Sequence, residues 1–128
     1  MIVDTSAVLA ILFGEEEADQ FDEAIARAGR CRMSAGNLLE TAIVLEGRRG
    51  AAAEHELDAY LRVAEIDVVP VTVAHAQAAR RAWRRLGRGN HPARLNFGDC
   101  FAYALAESTG EPLLYKGGDF ALTDIEAA

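Results

Sequence analysis

The chain has 128 residues, 51% of them hydrophobic and 26% charged, with a mean hydropathy of +0.02. That is enough apolar sequence for a core and little enough length to predict a single domain over residues 1–128, and it excludes a disordered chain. Twenty acids against thirteen bases leave a net charge of −7, which excludes a general nucleic-acid coat.

Other classes fall away on local grounds. A membrane helix needs roughly 18 uncharged residues, and the longest such stretch here, Val68 to Ala79, is interrupted by Pro70. Met1-Ile-Val-Asp4 lacks the basic start of a secretory signal, so a cytoplasmic protein is expected. Cys31 and Cys100 are too few and too far apart for a disulfide framework or a zinc site.

In chain order, Met1 to Thr5 reads as a short buried strand and Ser6 to Phe13 as an apolar helix closed by Gly14. Glu15 to Ala28 reads as a helix with three glutamates at the positive end of its dipole. Arg30 to Met33 reads as a strand, Asn37 to Arg49 and Ala52 to Ala64 as helices, and Ile66 to Val71 as a β-branched strand ending at Pro70. Ala74 to Leu86 is predicted helical, with Ala76, Ala79, Trp83 and Leu86 on a core face and arginines opposite. A loop over Gly87 to Asn96 leads into a helix over Phe97 to Ser108, then a strand over Pro112 to Tyr115 and a glycine loop to Phe120. Strands alternating with helices predict an α/β fold with a mainly parallel sheet, in which ligands collect at the carboxyl ends of strands.

Four acids stand where core residues are expected. Asp4 is the only charge in the first fourteen residues and ends the first strand. Glu40 interrupts an almost wholly apolar helix, Asp99 is the only acid between Asp67 and Glu107, and Asp119 follows the last strand. Each also has a structural explanation. Asn37-Leu-Leu-Glu40 and Asn96-Phe-Gly-Asp99 both fit a capping box, Asp4 can cap the first helix, and Asp119 can cap a turn. A parallel sheet gathers strand ends and helix starts along one edge, so the acids together predict a cluster. With no histidine or thiolate beside them, such a cluster selects Mg²⁺ or Mn²⁺, and phosphodiester hydrolysis is its natural chemistry.

Ile2-Val-Asp4-Thr-Ser6-Ala-Val, Asn37-Leu-Leu-Glu40-Thr-Ala, Asn96-Phe-Gly-Asp99-Cys-Phe-Ala and Leu113-Leu-Tyr-Lys-Gly-Gly-Asp119-Phe follow one another in an order that resembles the PIN-domain ribonucleases, above all the VapC toxins of toxin–antitoxin pairs. The resemblance spans the whole chain. It implies a three-layer α/β/α fold and a Mg²⁺-dependent endoribonuclease acting as a homodimer, inhibited by a cognate VapB-type antitoxin. By position, Asp4 and Asp99 would bind the metal, Glu40 would orient or activate the water, Asp119 would complete the quartet, and Thr5 or Ser6 could hydrogen-bond the site. Many members carry an acid at the position of Gly117, so Asp119 or Asp124 stands in for it, or three carboxylates suffice. Helices between Asn37 and Ala64 are expected to supply part of the dimer interface.

Six arginines and no acid lie between Arg80 and Arg94, leaving a net of −13 on the rest of the chain. Arg81, Arg84, Arg85 and Arg88 at helical spacing, with Arg94 in the loop leading to Asp99, suit an RNA backbone. A solvated helix face and a dock for an acidic antitoxin tail are the other readings. With Trp83 assigned to the core, base stacking is not expected. Two other functions remain: a catalytically inactive PIN-like interaction module, and a Mg²⁺-dependent receiver-like phosphoacceptor, for which Lys116 fits but the paired acid after the first strand is missing.

Overall fold

The structure, a computed structural model, describes all residues from Met1 to Ala128. Four short strands, β1 (Ile2–Val3), β2 (Cys31–Ser34), β3 (Ile66–Val69) and β4 (Leu113–Leu114), form a wholly parallel sheet in the order β3-β2-β1-β4. Helices α1 (Thr5–Leu12), α2 (Ala18–Ala28), α3 (Ala35–Arg49), α4 (Ala53–Val63), α5 (Val73–Leu86) and α6 (Phe97–Thr109) connect them, and a 3₁₀ turn (Phe120–Leu122) follows β4.

Alternation along two-residue strands is enough to build three layers. Val3 and Leu114 join Met33, Phe21, Leu45 and Leu57 in a core on one side. Ile2 and Leu113 point the other way, into a second core with Leu86, Tyr103, Leu105 and Phe120. Helices α1 to α4 cover the first face, and α5 and α6 the second. The expected α/β/α sandwich is therefore present, and no helix is long and apolar enough to cross a membrane.

The order of strands sets the site. The chain moves outward from β1 through β2 to β3, then returns to place β4 on the other flank of β1. The direction of winding reverses between β1 and β4, and the carboxyl ends of those strands lead straight into Asp4 and the Lys116–Asp119 loop.

Several boundaries differ from expectation, each for a local reason. Helix α2 starts at Ala18, not Glu15, and both Glu15 and Glu17 turn back to pair with Lys116. Helix α3 starts at Ala35 with Ser34 as its cap, its side chain accepting from the Gly36 amide, so Asn37 is inside the helix and the capping box proposed for Asn37 and Glu40 does not form. Helix α5 buries Ala78, Ala82 and Leu86 against α6, the two alanines allowing close approach. Trp83 lies on the neighbouring stripe at 49% exposure and is not a core residue.

Candidate active site

Asp4 follows directly from β1 and caps α1. Its Oδ2 accepts both the Ser6 amide at 3.0 Å and the Ser6 hydroxyl at 2.6 Å. Asp99 closes the capping box of α6: its Oδ2 accepts the Asn96 amide at 3.0 Å, while Asn96 Oδ1 accepts the Asp99 amide at 2.9 Å. Both structural roles foreseen for these acids are thus real. They do not exhaust them, because both carboxylates are buried, at 3% and 8% exposure, with no basic partner.

The electrostatics follow from that burial. Desolvation pushes Asp4 up to about 6 against the help of two Ser6 hydrogen bonds, with Glu40 adding repulsion. Desolvation, together with the nearby charges of Asp4 and Asp119, pushes Asp99 up to about 7 against the Asn96 amide bond, and the Asp119 carboxylate favours the protonated form by accepting the proton that Asp99 then donates. The protons belong to the cluster more than to any one acid.

Glu40 projects half-buried from α3 and lies directly against the Cα of Gly98, where a methyl group would overlap its carboxylate. Glycine at 98 is what lets the Glu40 carboxylate of α3 lie against α6, where its charge acts on Asp4. Asp119, exposed, approaches Asp99 from the loop after β4. All four acids are thereby brought to one edge of the sheet. Asp124 is not among them: it accepts the Tyr103 hydroxyl at 2.6 Å and pairs with Arg85 at 3.7 Å. Gly117 sits at φ +97°, where an L-residue would be strained, so the acid missing there could not be restored without remaking the turn.

One polar residue at the site carries a different role from the one expected. Asn37 is fully buried, and its Nδ2 donates to the Gly98 carbonyl at 3.0 Å and Thr5 Oγ1 at 3.3 Å. Thr5 in turn donates to the Asn37 carbonyl at 3.2 Å. Asn37 therefore ties together α1, α3 and α6, the three helices that carry Asp4, Glu40 and Asp99. An amide in the middle of an apolar run was the available signal, and its resemblance to a cap masked it.

The donor set suits a hard cation. It is all oxygen, and burial pushes the neighbouring Cys100 thiol up to about 11, so no thiolate competes. Two buried carboxylates with raised proton affinity and no arginine or lysine against them are relieved by a cation. No three acid, histidine or cysteine side chains close into a ready-made metal cage.

Beside the acids lies a basic ridge. Arg80, Arg81, Arg84 and Arg85 on α5, and Arg88 and Arg94 in the loop that follows it, are all exposed, and only Arg85 has an acidic partner. His91 Nδ1 accepts the Ala93 amide at 3.0 Å and so shapes the loop. Trp83, Phe97, Phe101, Cys100 and Arg80 line an open groove of about 410 Å³ between α5 and α6. Phe97 is 80% exposed and meets Phe101 edge-to-face. Aromatic surface therefore does adjoin the arginines, contrary to the expectation from sequence.

The PIN domain matches residues 1–126. The chain belongs to the PIN-domain family. Within it, the chain is 49% identical to Ribonuclease VapC of Mycolicibacterium smegmatis, over 99% of this chain and 98% of that one. It is 47% identical to Ribonuclease VapC30 of Mycobacterium tuberculosis, over 98% and 95% respectively. Among solved structures, this PIN chain superposes on Mycobacterium tuberculosis VapC20, described as a sarcin-ricin loop cleaving toxin. The TM-score is 0.76 at 25% identity, covering 99% and 97% of the two chains. A toxin–antitoxin complex from Klebsiella pneumoniae shares the fold, with a TM-score of 0.67 at 15% identity.

Proposed function

We propose that this PIN chain is a divalent-metal-dependent endoribonuclease, the toxin of a type II toxin–antitoxin pair. The observation that carries the reading is the meeting of Asp4, Glu40, Asp99 and Asp119 at the switch point of the sheet, two of them buried with raised pKa and no basic partner. Near full-length identity to proteins named VapC ribonucleases supports it.

Asp4 and Asp99 would hold the cation, Mg²⁺ or Mn²⁺, each through the oxygen its capping bonds leave free. A bound ion supplies Lewis-acid polarisation of the phosphoryl group and a lowered pKa for an attacking water. Glu40, held against Gly98, would accept a proton from an attacking water, and Asp119 would orient that water or the leaving oxygen from the open side. Arg81, Arg84, Arg85, Arg88 and Arg94 bind the phosphates on either side of the scissile bond. The two flanking cleavage products separate once the phosphodiester is hydrolysed.

The partners follow from the same reading: an RNA substrate, a VapB-type antitoxin and a second copy of the chain. The apolar face of Leu39 and Ile43 on α3 with Phe97 on α6, all more than 60% exposed, supports a copy-to-copy contact. Phe97→Asp is expected to yield monomer by light scattering.

Incubating total cellular RNA with purified protein, in Mg²⁺ or EDTA and beside Asp4→Asn, tests the activity. Discrete fragments that require both metal and Asp4 are expected. Fragments that persist in EDTA, or with Asp4→Asn, would overturn the mechanism.

A further inference from the structure

Lys116 is the only lysine of the chain, among twelve arginines, and it lies three residues before Asp119. It does not reach into the acidic cluster. Its ammonium group pairs with Glu15 and with Glu17, the latter at 3.0 Å, in the turn between α1 and α2. Its backbone amide points the other way and donates to Ser6 Oγ at 2.9 Å. Ser6 Oγ then donates to Asp4 Oδ2 at 2.6 Å, a charge-assisted length.

The direction of these bonds matters. A serine hydroxyl has one proton to give and two lone pairs. The Lys116 amide can only donate, so it occupies a lone pair of Ser6, and the Ser6 proton is committed to Asp4. The Ser6 amide falls on the same Asp4 oxygen. Oδ2 is thus used twice, and Oδ1 is left as the oxygen with lone pairs to spare. The amide that sets this direction belongs to a loop that continues through Gly117 and Gly118, the two most permissive residues available, so it needs an anchor. The ion pairs supply it and close a ring: Asp4, helix α1, the Gly14–Glu15 turn, the Lys116 side chain, and the Lys116 amide back to Ser6.

We propose that Lys116 is a positioning residue of the acidic site: clamped by Glu15 and Glu17, it holds its amide on Ser6 Oγ and so orients Asp4 to present one free oxygen to a divalent cation. This rests on the cation reading given above. It differs from a simple surface ion pair, which would contribute to stability slightly and to the site not at all.

The test is calorimetric titration of Mn²⁺ into the full chain for wild type, Lys116→Met, Ser6→Ala, the double variant and Lys116→Arg, alongside amide exchange at residue 116 by NMR. Loss of an outer-sphere partner typically weakens metal binding 10- to 100-fold. Ser6→Ala is expected near the low end of that range, and Lys116→Met roughly 3- to 10-fold weaker than wild type. The double variant should match Ser6→Ala alone, because Lys116 acts through Ser6, and Lys116→Arg should recover most of the loss. The residue-116 amide should exchange faster in both Ser6→Ala and Lys116→Met. Should Lys116→Met fail to fold, Glu15→Gln with Glu17→Gln opens the clamp from its other side and should give the same losses. Unchanged Mn²⁺ affinity in a folded clamp variant, or losses that add to those of Ser6→Ala, would overturn the proposal alone. A wild-type chain that takes up no Mn²⁺ would overturn the cation reading and the proposal with it.

Discussion

The acidic edge and the arginine ridge lie close together and carry opposite charge, yet they are built on opposite principles. Asp4 and Asp99 are buried, each holds a helix start, and each has raised proton affinity. The arginines from 80 to 94 are exposed, hold nothing in place, and have one weak acidic partner between them. A group that is both structural and desolvated concentrates large energies in one side chain. An exposed row of like charges spreads a modest energy over many, and no single member decides the outcome. The two regions should therefore respond to substitution very differently.

Asp99→Asn should give the largest effect. An asparagine at 99 retains an oxygen for the Asn96 amide, so the cap survives while the charge goes. RNA cleavage is expected to fall by at least about 100-fold. Because the charge removed is a buried and repelled one, the metal-free variant should melt a few degrees higher than wild type at pH 8. A lower melting temperature together with lost activity would mean that Asp99 is there for the cap.

The same burial fixes how stability depends on pH. Asp4 and Asp99 have folded-state pKa values of about 6 and about 7 against a reference of 3.8, so the folded chain binds more protons than the unfolded one between those values. Stability from these groups is present below about pH 4 and is lost as pH rises to about 7. At about 1.4 kcal/mol per unit, Asp4 alone contributes on the order of 2–3 kcal/mol. Glu111 runs the other way: burial opposes its charge, but hydrogen bonds from Arg32 and the N-terminal amine lower its pKa overall. Its contribution is lost only as pH falls through the acid range below its ordinary 4.5. Thermal melts of the metal-free chain should fall from pH 5 to pH 8, and Mg²⁺ at pH 8 should reverse the loss. A flat profile would mean that the acids are better solvated than the structure has them.

How much of this was legible in sequence divides along the same line. Isolated charges in apolar runs pointed to Asp4, Glu40 and Asp99, because a cap accounts for one such carboxylate more easily than for three that a parallel sheet gathers at one edge. The α/β class and the Asn96–Asp99 box came from local periodicity and spacing, which report on neighbours in the chain. Contacts between distant segments were not legible. Asn37 has the spacing of a cap and is instead a buried tie between three helices, and nothing local separates those roles. Trp83 has helical spacing to other apolar residues, but the adjacent stripe of Ala78, Ala82 and Leu86 is the one that fits α6. Glu15 to Glu17 look like an ideal helix start, and it takes Lys116, about a hundred residues away, to pull Glu15 and Glu17 into a turn.

Gly98 offers a way to disturb the acids without changing any of them. Gly98→Ala would place a methyl where the Glu40 carboxylate now lies, and the flexible end of Glu40 can swing aside at little cost to the fold. Melting temperature should move by no more than a few degrees, while cleavage falls roughly 10-fold, below the 100-fold or more that a fully lost base would cost. Equal activity in Gly98→Ala would remove Glu40 from the mechanism and leave proton transfer to Asp119 or solvent.

The ridge should give the smallest change, and only in one observable. Arg84→Ala with Arg85→Ala removes two exposed cations, of which only Arg85 has a partner, Asp124 at 3.7 Å. Exposed pairs of that kind contribute about 0–1 kcal/mol, so the melting temperature should hardly move. If both arginines meet phosphates, the slope of log affinity against log salt should fall by about two units for a catalytically silent RNA complex, and binding should weaken uniformly across sequences. Because Arg80, Arg81, Arg88 and Arg94 remain, binding itself should persist at low salt. An unchanged slope would show that the RNA path avoids this stretch of α5. The uncompensated charge would then have to answer to a different partner, and binding of an acidic peptide to the same double variant would be the measurement that decides it.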